Sequence, residues 1–428
     1  MRDPLLYTYY GDDFTGSTDV LEQLARGGIP SALFLAPPTV EDLALVPGLR
    51  AYGIAGESRS QSPEWMKQNL PTVFRSLQAA GAPITHYKVC STFDSSPQIG
   101  SIGCAMEIGR EIFQGHMVPI VVGAPHLRRY VWRRRLYAAG PDGRVLRIDR
   151  HPMSRHPVTP MCEADLRRHL CAQTTLRIDH VDYRNIRRGD DFTAFAKAEA
   201  AGADAVLFDT VRSPELSAIG RLLWQVARQR QRFAVGSSGL TAALVEAWRD
   251  MGLDSALRSD TLLPPKTRRP LLVLSGSCSV ATERQLRWAL AHDFVGIALH
   301  PEELLEDTNR QHVIVAQAIQ SIRQGRDTVL YSAMGAVSGP ASGSSLGELL
   351  GIMMRQIAQA TNISRVLLCG GDTSSHAVRQ LGLRALTWQA NLHIGVPLCR
   401  THGALDIELA LKGGQMGDDD FFQVVRDA

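Results

Sequence analysis

Long apolar runs are missing from this sequence. Nothing in it approaches the ~18–20 consecutive apolar residues that a membrane-spanning helix requires. It also lacks any C-x-x-C pair, and its seven cysteines, at 90, 104, 162, 171, 278, 369 and 399, are an odd number. That pattern argues against both a disulfide framework and a zinc knuckle. Neither sign of charge dominates: 46 Lys and Arg face 43 Asp and Glu, a formal net charge of +3. Bulk charge therefore gives no reason to expect a nucleic-acid partner. Glycine (37) and proline (22) stay near average usage, which excludes a collagen-like or linker-dominated chain. The first residues meet Asp12 and Asp13 before a secretory apolar region could form. No internal repeat or low-complexity tract is present. These absences together predict a soluble cytoplasmic protein.

What is present is a chain of 428 residues, 44% apolar and 21% charged, long enough for two or three domains with their own cores. Short β-rich runs alternate with helical patterns. Residues 5–10, 31–35, 51–55, 85–90, 118–122 and 205–209 read as strands, and 18–26 and 63–80 as amphipathic helices. The alternation restarts after 270, with strands expected over 271–275, 295–299, 328–332, 365–369 and 394–400. Pro264, Pro265 and Pro270 mark a linker over 253–270, between an N-terminal domain, 1–252, and a C-terminal domain, 271–428. The expected fold class is α/β, each domain a largely parallel sheet flanked by helices.

The chemistry-bearing residues cluster where strands end. Gly11-Asp12-Asp13-Phe14-Thr15-Gly16 leaves the first strand, and ligands of open α/β sheets sit at the carboxyl ends of strands. Two adjacent carboxylates there can orient a hydroxyl or take its proton, although Asp13 can equally serve as a helix cap. Arg59 follows the third strand with a fork suited to a carboxylate, and Lys88, Val89, Cys90 and Ser91 leave the next. Three consecutive loops of this kind suggest a polyhydroxylated anionic ligand. Residues 126–156 hold nine arginines and three histidines against Asp142 and Asp149. Without an aromatic ladder this reads as a solvated or subunit-facing arm, and His151 and His156 lack metal-ligand spacing. In the C-terminal half, Ser275-Gly276-Ser277 and Gly370-Gly371-Asp372-Thr373 each join an apolar strand to a helix. Glycine admits a close ligand and a helix start favours an anion, so the pair, with 412–417, points to a phosphate-rich ligand. The P-loop, protein-kinase and G-x-G-x-x-G fingerprints are all absent.

The loops at 11–16, 275–277 and 370–374, with the tail at 410–422, resemble in their order the four-carbon acid sugar kinase family. The resemblance spans nearly the whole chain. It implies a sugar-acid-binding N-terminal domain and an ATP-binding C-terminal domain, with the active site in the cleft between them. Substrate positions would fall on Asp12, Arg59, Lys88, Val89, Cys90 and Ser91, with Asp12 or Asp13 as base. Nucleotide positions would fall on Ser275, Gly276, Ser277, Gly370, Gly371, Asp372, Thr373 and Gly414. ATP and Mg²⁺ are the implied cofactors, with no protein metal site assigned, and the partner is a small sugar acid; a homo-oligomer is compatible with this. Members acting on threonate or erythronate read Lys-x-Asp-Ser-Thr-x-Arg-Gly-Asn at the third loop, whereas Cys90 and Asp94-Ser95-Ser96 stand here. The variant resembles the branch that phosphorylates 3-oxo-isoapionate. A tetronate or 3-oxo-tetronate kinase, a non-catalytic sugar-phosphate sensor and an NAD-linked oxidoreductase are the alternatives.

Overall fold

The structure, a computed structural model, describes residues 4–140, 142–253, 270–277, 279–332, 343–393, 395–413 and 416–428. The expected linker, apart from its end residues 253 and 270, and Gly414 lie outside the described residues. Of Gly371, Asp372 and Thr373 only the backbone is described. The chain forms two compact units, Met1–Thr39 with Val46–Arg258 and Val40–Leu45 with Ser259–Ala428.

The first unit is built on β1 (Tyr7–Gly11), β2 (Ser31–Phe34), β3 (Ala51–Ala55), β4 (Ile84–Lys88) and β5 (Val118–Val121). A separate antiparallel sheet follows, β6 (Arg129–Trp132), β7 (Arg135–Ala139) and β8 (Val145–Arg147). Then come β9 (Ile178–Val181), β10 (Ala205–Phe208) and β11 (Arg232–Gly236). The main strands run in the order β2-β3-β1-β4-β11-β5-β10-β9, every pairing parallel. Most are buried along their whole length, as strands covered on both faces should be. The arginine-rich stretch therefore forms a small sheet of its own. Buried Asp209 anchors its hairpin by accepting from the backbone N–H of Arg133 and of Arg134, both at 2.9 Å.

The second unit has β12 (Leu271–Ser275), β13 (Val295–Ala298), β14 (Thr328–Tyr331), β15 (Arg365–Cys369), β16 (Leu383–His393), β17 (Val396–Gly403) and β18 (Glu408–Lys412). Its order is β13-β14-β12-β15-β18-β17-β16, parallel up to β18 and antiparallel beyond it. Val273, Leu286, Phe294, Leu367, Leu398, Phe421 and Phe422 belong to its core. The α/β class and the two largely parallel sheets agree with the sequence reading. The antiparallel strands at one side of the second sheet were not anticipated.

Candidate functional site

Parallel pairing brings the carboxyl ends of β3, β1, β4, β11 and β5 into one row, and backbone bonds join each exit to the next. Gly56 N–H donates to Gly11 O (2.9 Å), Asp12 N–H to Lys88 O (2.9 Å), Val89 N–H to Gly236 O (2.8 Å) and Ser237 N–H to Val121 O (3.1 Å). The loops that carry the expected residues are therefore fixed from their first peptide onward.

Asp12 and Asp13 meet Arg59 here. The Arg59 fork donates to Asp12 from Nε (3.1 Å) and Nη2 (2.9 Å), and its Nη1 lies 2.6 Å from Asp13 Oδ2. Asp13 also caps the helix Phe14–Arg26, accepting from Gly16 N–H at 2.5 Å. The structure thus gives Asp13 both the capping role and a share of the arginine. Arg59, expected to grip a ligand carboxylate, is occupied by the chain's own two. Burial pulls the Asp12 carboxyl up to about 6; Arg59 opposes the shift and the Asp13 charge adds to it. Burial disfavours the charged guanidinium of Arg59, but Asp12 and Asp13 outweigh it and hold the group protonated.

Lys88 ends β4 with a buried side chain, its Nζ 3.8 Å from Asp19 Oδ2. A side chain on Gly16 would place its first carbon 2.8 Å from that Nζ and 2.5 Å from Asp13 Oδ1, so either end group would have to shift to admit one. The strand stops at Lys88 rather than continuing to 90, which leaves Val89, Cys90 and Ser91 in the exit loop. Val89 is buried, and Cys90 and Ser91 are partly exposed. Thr92 Oγ1 lies 2.9 Å from Cys90 Sγ and 2.5 Å from Asp94 Oδ1. Burial raises the Cys90 thiol, with Arg59 opposing.

In the second unit the same construction recurs at β12, β15 and β18. Gly276 N–H donates to Cys369 O (3.2 Å) and Gly370 N–H to Lys412 O (2.9 Å). Gly370 has φ 114°, open to glycine alone, and starts the helix Gly371–Gln380. The buried hydroxyls of Ser275 and Ser374 have no hydrogen-bond partner among the described residues. Ser277 Oγ lies 3.2 Å from Ser279 Oγ, and Ser279 caps the helix Val280–Ala291. Lys412 Nζ is buried and donates to Thr282 Oγ1 at 2.9 Å, its pKa lowered by burial. A lysine, two orphaned hydroxyls and two helix starts at one set of strand ends suit a polyphosphate. The sequence places Lys412 in the tail and Ser374 in the 370–374 loop without marking either as a site residue, and it does not single out Thr282. The only signal of Ser374 and Thr282 was position, one helical turn beyond a strand exit.

The family model described as a sugar-binding N-terminal domain matches residues 7–244, and that of a nucleotide-binding C-terminal domain matches 272–422. The 3-oxo-isoapionate kinase of Paraburkholderia graminis is 42% identical, covering 99% of this chain and 94% of its own. The chain belongs to the four-carbon acid sugar kinase family. This sugar-acid kinase is thus a phosphotransferase acting on a hydroxyl of a small sugar acid, and its kinase activity implies ATP. The 3-oxo-tetronate kinase of Pectobacterium atrosepticum is 29% identical over 96% of each chain. A Haemophilus influenzae protein of the DUF1537 family has a crystal structure that superposes with a TM-score of 0.77 at 23% identity, over 98% of this chain and 99% of that one. That last likeness concerns the fold alone. Among the described residues no helix is long and apolar enough to cross a membrane.

Proposed function

We propose that this kinase phosphorylates 3-oxo-isoapionate or a closely similar C4–C5 sugar acid, with the acid on the first unit and ATP on the second. Support for the substrate comes from the relative of that name at 42% identity and from Cys90 and Asp94 in the third loop. The observation that carries the reading is the Asp12–Arg59–Asp13 cluster at the strand ends. A buried carboxylate with its pKa raised to about 6 is a base poised for work near neutral pH. Asp12 takes the proton of the attacking hydroxyl as its oxygen bonds to the γ-phosphorus and the bond to ADP breaks. Arg59 holds both aspartates in register. Lys88 attracts the anionic substrate, which Val89, Cys90 and Ser91 line.

On the nucleotide side, Ser275, Gly276, Ser277, Gly370, Gly371, Asp372, Thr373 and Gly414 surround the phosphates, with Lys412 neutralising their charge. Mg²⁺ fits this set as a passenger of the nucleotide, since such ions keep phosphate and water oxygens as ligands, and the orphaned Ser275 hydroxyl would be the residue to hold it. When bound it would neutralise phosphate charge. We place the domains at 1–252 and 271–428, joined by 253–270, and the enzyme in the cytoplasm.

The test is ADP release on a panel of linear and branched C4–C5 acids that includes 3-oxo-isoapionate. The fastest turnover is expected on the branched 3-oxo acid. Turnover confined to linear acids would make the protein a tetronate or 3-oxo-tetronate kinase, and ATP binding without turnover would make it a sensor.

A further inference from the structure

Three buried polar atoms of the first unit have no hydrogen-bond partner among the described residues, Arg129 Nε, Thr210 Oγ1 and Ser238 Oγ, and the chain segments that carry them meet at one glycine. Gly123, just beyond β5, packs on Thr210, to which a side chain on Gly123 would approach within 2.5 Å. Gly239 packs on the Gly123 carbonyl, which lies 1.9 Å from where its side chain would begin. Ala124, the next residue, exchanges both backbone bonds with Arg129, at 2.9 and 3.1 Å. The chain between them turns through Arg128 in the left-handed region, φ 56°. Thr210 in turn exchanges two 2.8 Å bonds with Val131. The three groups thus stand on a closed backbone framework beside the exits of β5 and β11.

Their chemistry is that of an anion site. Nη1 of Arg129 donates to the carbonyls of Leu127 (3.2 Å), Arg128 (3.4 Å) and Ala139 (3.2 Å). No carboxylate among the described residues pairs with it. Burial pulls its pKa below the ordinary range, with only the Cys90 thiol opposing the shift. The exit of β11, which Ser238 follows, adjoins the loop that lines the proposed substrate, because Val89 N–H donates to Gly236 O at 2.8 Å. Leaving the Nε–H of a half-buried guanidinium and two fully buried hydroxyls unpaired is costly unless a ligand completes them. Ser238 also begins the 13-residue helix Ser238–Asp250, whose amino end favours negative charge. Arg59, by contrast, already holds two carboxylates.

We infer that Arg129, Thr210 and Ser238 form an anion subsite that receives the carboxylate of the sugar acid, an assignment that rests on the sugar-acid reading above. They are specificity-determining residues rather than catalytic ones: they select an acid over its uncharged analogue.

The experiment is calorimetry on the full-length protein with 3-oxo-isoapionate and with its neutral primary amide, alongside ADP release. Arg129→Gln keeps N–H donors for the neighbouring carbonyls and removes the charge. It should weaken the acid about ten- to a hundredfold, as loss of a charged hydrogen bond does, and leave the amide and ATP within about threefold. Ser238→Ala should weaken the acid by about threefold or more; it deletes one hydroxyl and carries the test if Arg129→Gln does not fold. Unchanged affinity for the acid in the folded variants, or equal losses for acid and amide, overturns the subsite while wild-type turnover leaves the kinase reading intact. Wild-type protein that binds the acid over the amide, loses that preference in the variants and releases no ADP supports the subsite and removes the kinase reading. A wild type without affinity for the acid overturns both.

Discussion

A carboxylate buried at 4% exposure stays ionised only with help, and at Asp12 the help comes from one arginine shared with Asp13. Desolvation still prevails and raises its pKa to about 6 from 3.8. The sign for stability follows. The folded state binds this proton more tightly than the unfolded chain, so the contribution is fully present below pH about 4 and is lost as pH rises through about 6. Activity runs the other way, because a base must be ionised. The rate should fall as pH drops through about 6. Asp12→Asn should lower kcat by roughly 10²–10⁴-fold and remove that acid limb, with ATP affinity unchanged. Near-normal kcat in the folded variant would exclude Asp12 from the chemistry. At this scale the aspartate pair was legible, because adjacent carboxylates at a strand exit are a local pattern. The occupation of Arg59 was not: its partner lies 47 residues away and meets it only across the paired strands.

Elements decided where the loops could serve. Glu408-Leu409-Ala410-Leu411-Lys412 is composed of strong helix formers, yet it is a fully buried strand between β15 and β17. Burial on both faces overrode propensity, and Lys412 reached a strand exit that its sequence did not announce. β11, with arginine and glycine at its ends, and β9, with two polar residues at its centre, escaped notice for want of a long apolar run. The glycine of the β15 exit is the sharpest test at this scale. Gly370→Ala forces a left-handed conformation on an L-residue, which costs about 1–2 kcal/mol. It should also shift the following helix start away from the nucleotide. ATP affinity measured by calorimetry should fall by about five- to thirtyfold, because 1.4 kcal/mol is a factor of ten, while acid affinity holds. Unchanged ATP affinity in the folded variant would detach this loop from the nucleotide.

At the scale of the molecule, two units with separate cores make a prediction of their own. Calorimetric unfolding should resolve two transitions, one raised by ATP and the other by the sugar acid. Ligand at a hundred times its Kd stabilises the unit that binds it by about 2.7 kcal/mol. A single transition raised equally by either ligand would contradict independent units. The sequence alone determined the α/β class, the two-part organisation and the loops at strand ends, since hydrophobic periodicity and glycine placement act over a few neighbouring residues. Tertiary structure alone decided which charges are already satisfied. Arg59 was taken by two aspartates, Lys412 met Thr282 from 130 residues away, and polar atoms of Arg129, Thr210 and Ser238 were left without a partner among the described residues. Such outcomes depend on strand order, and strand order is set by the packing of distant segments against one another, which no local run of residues contains.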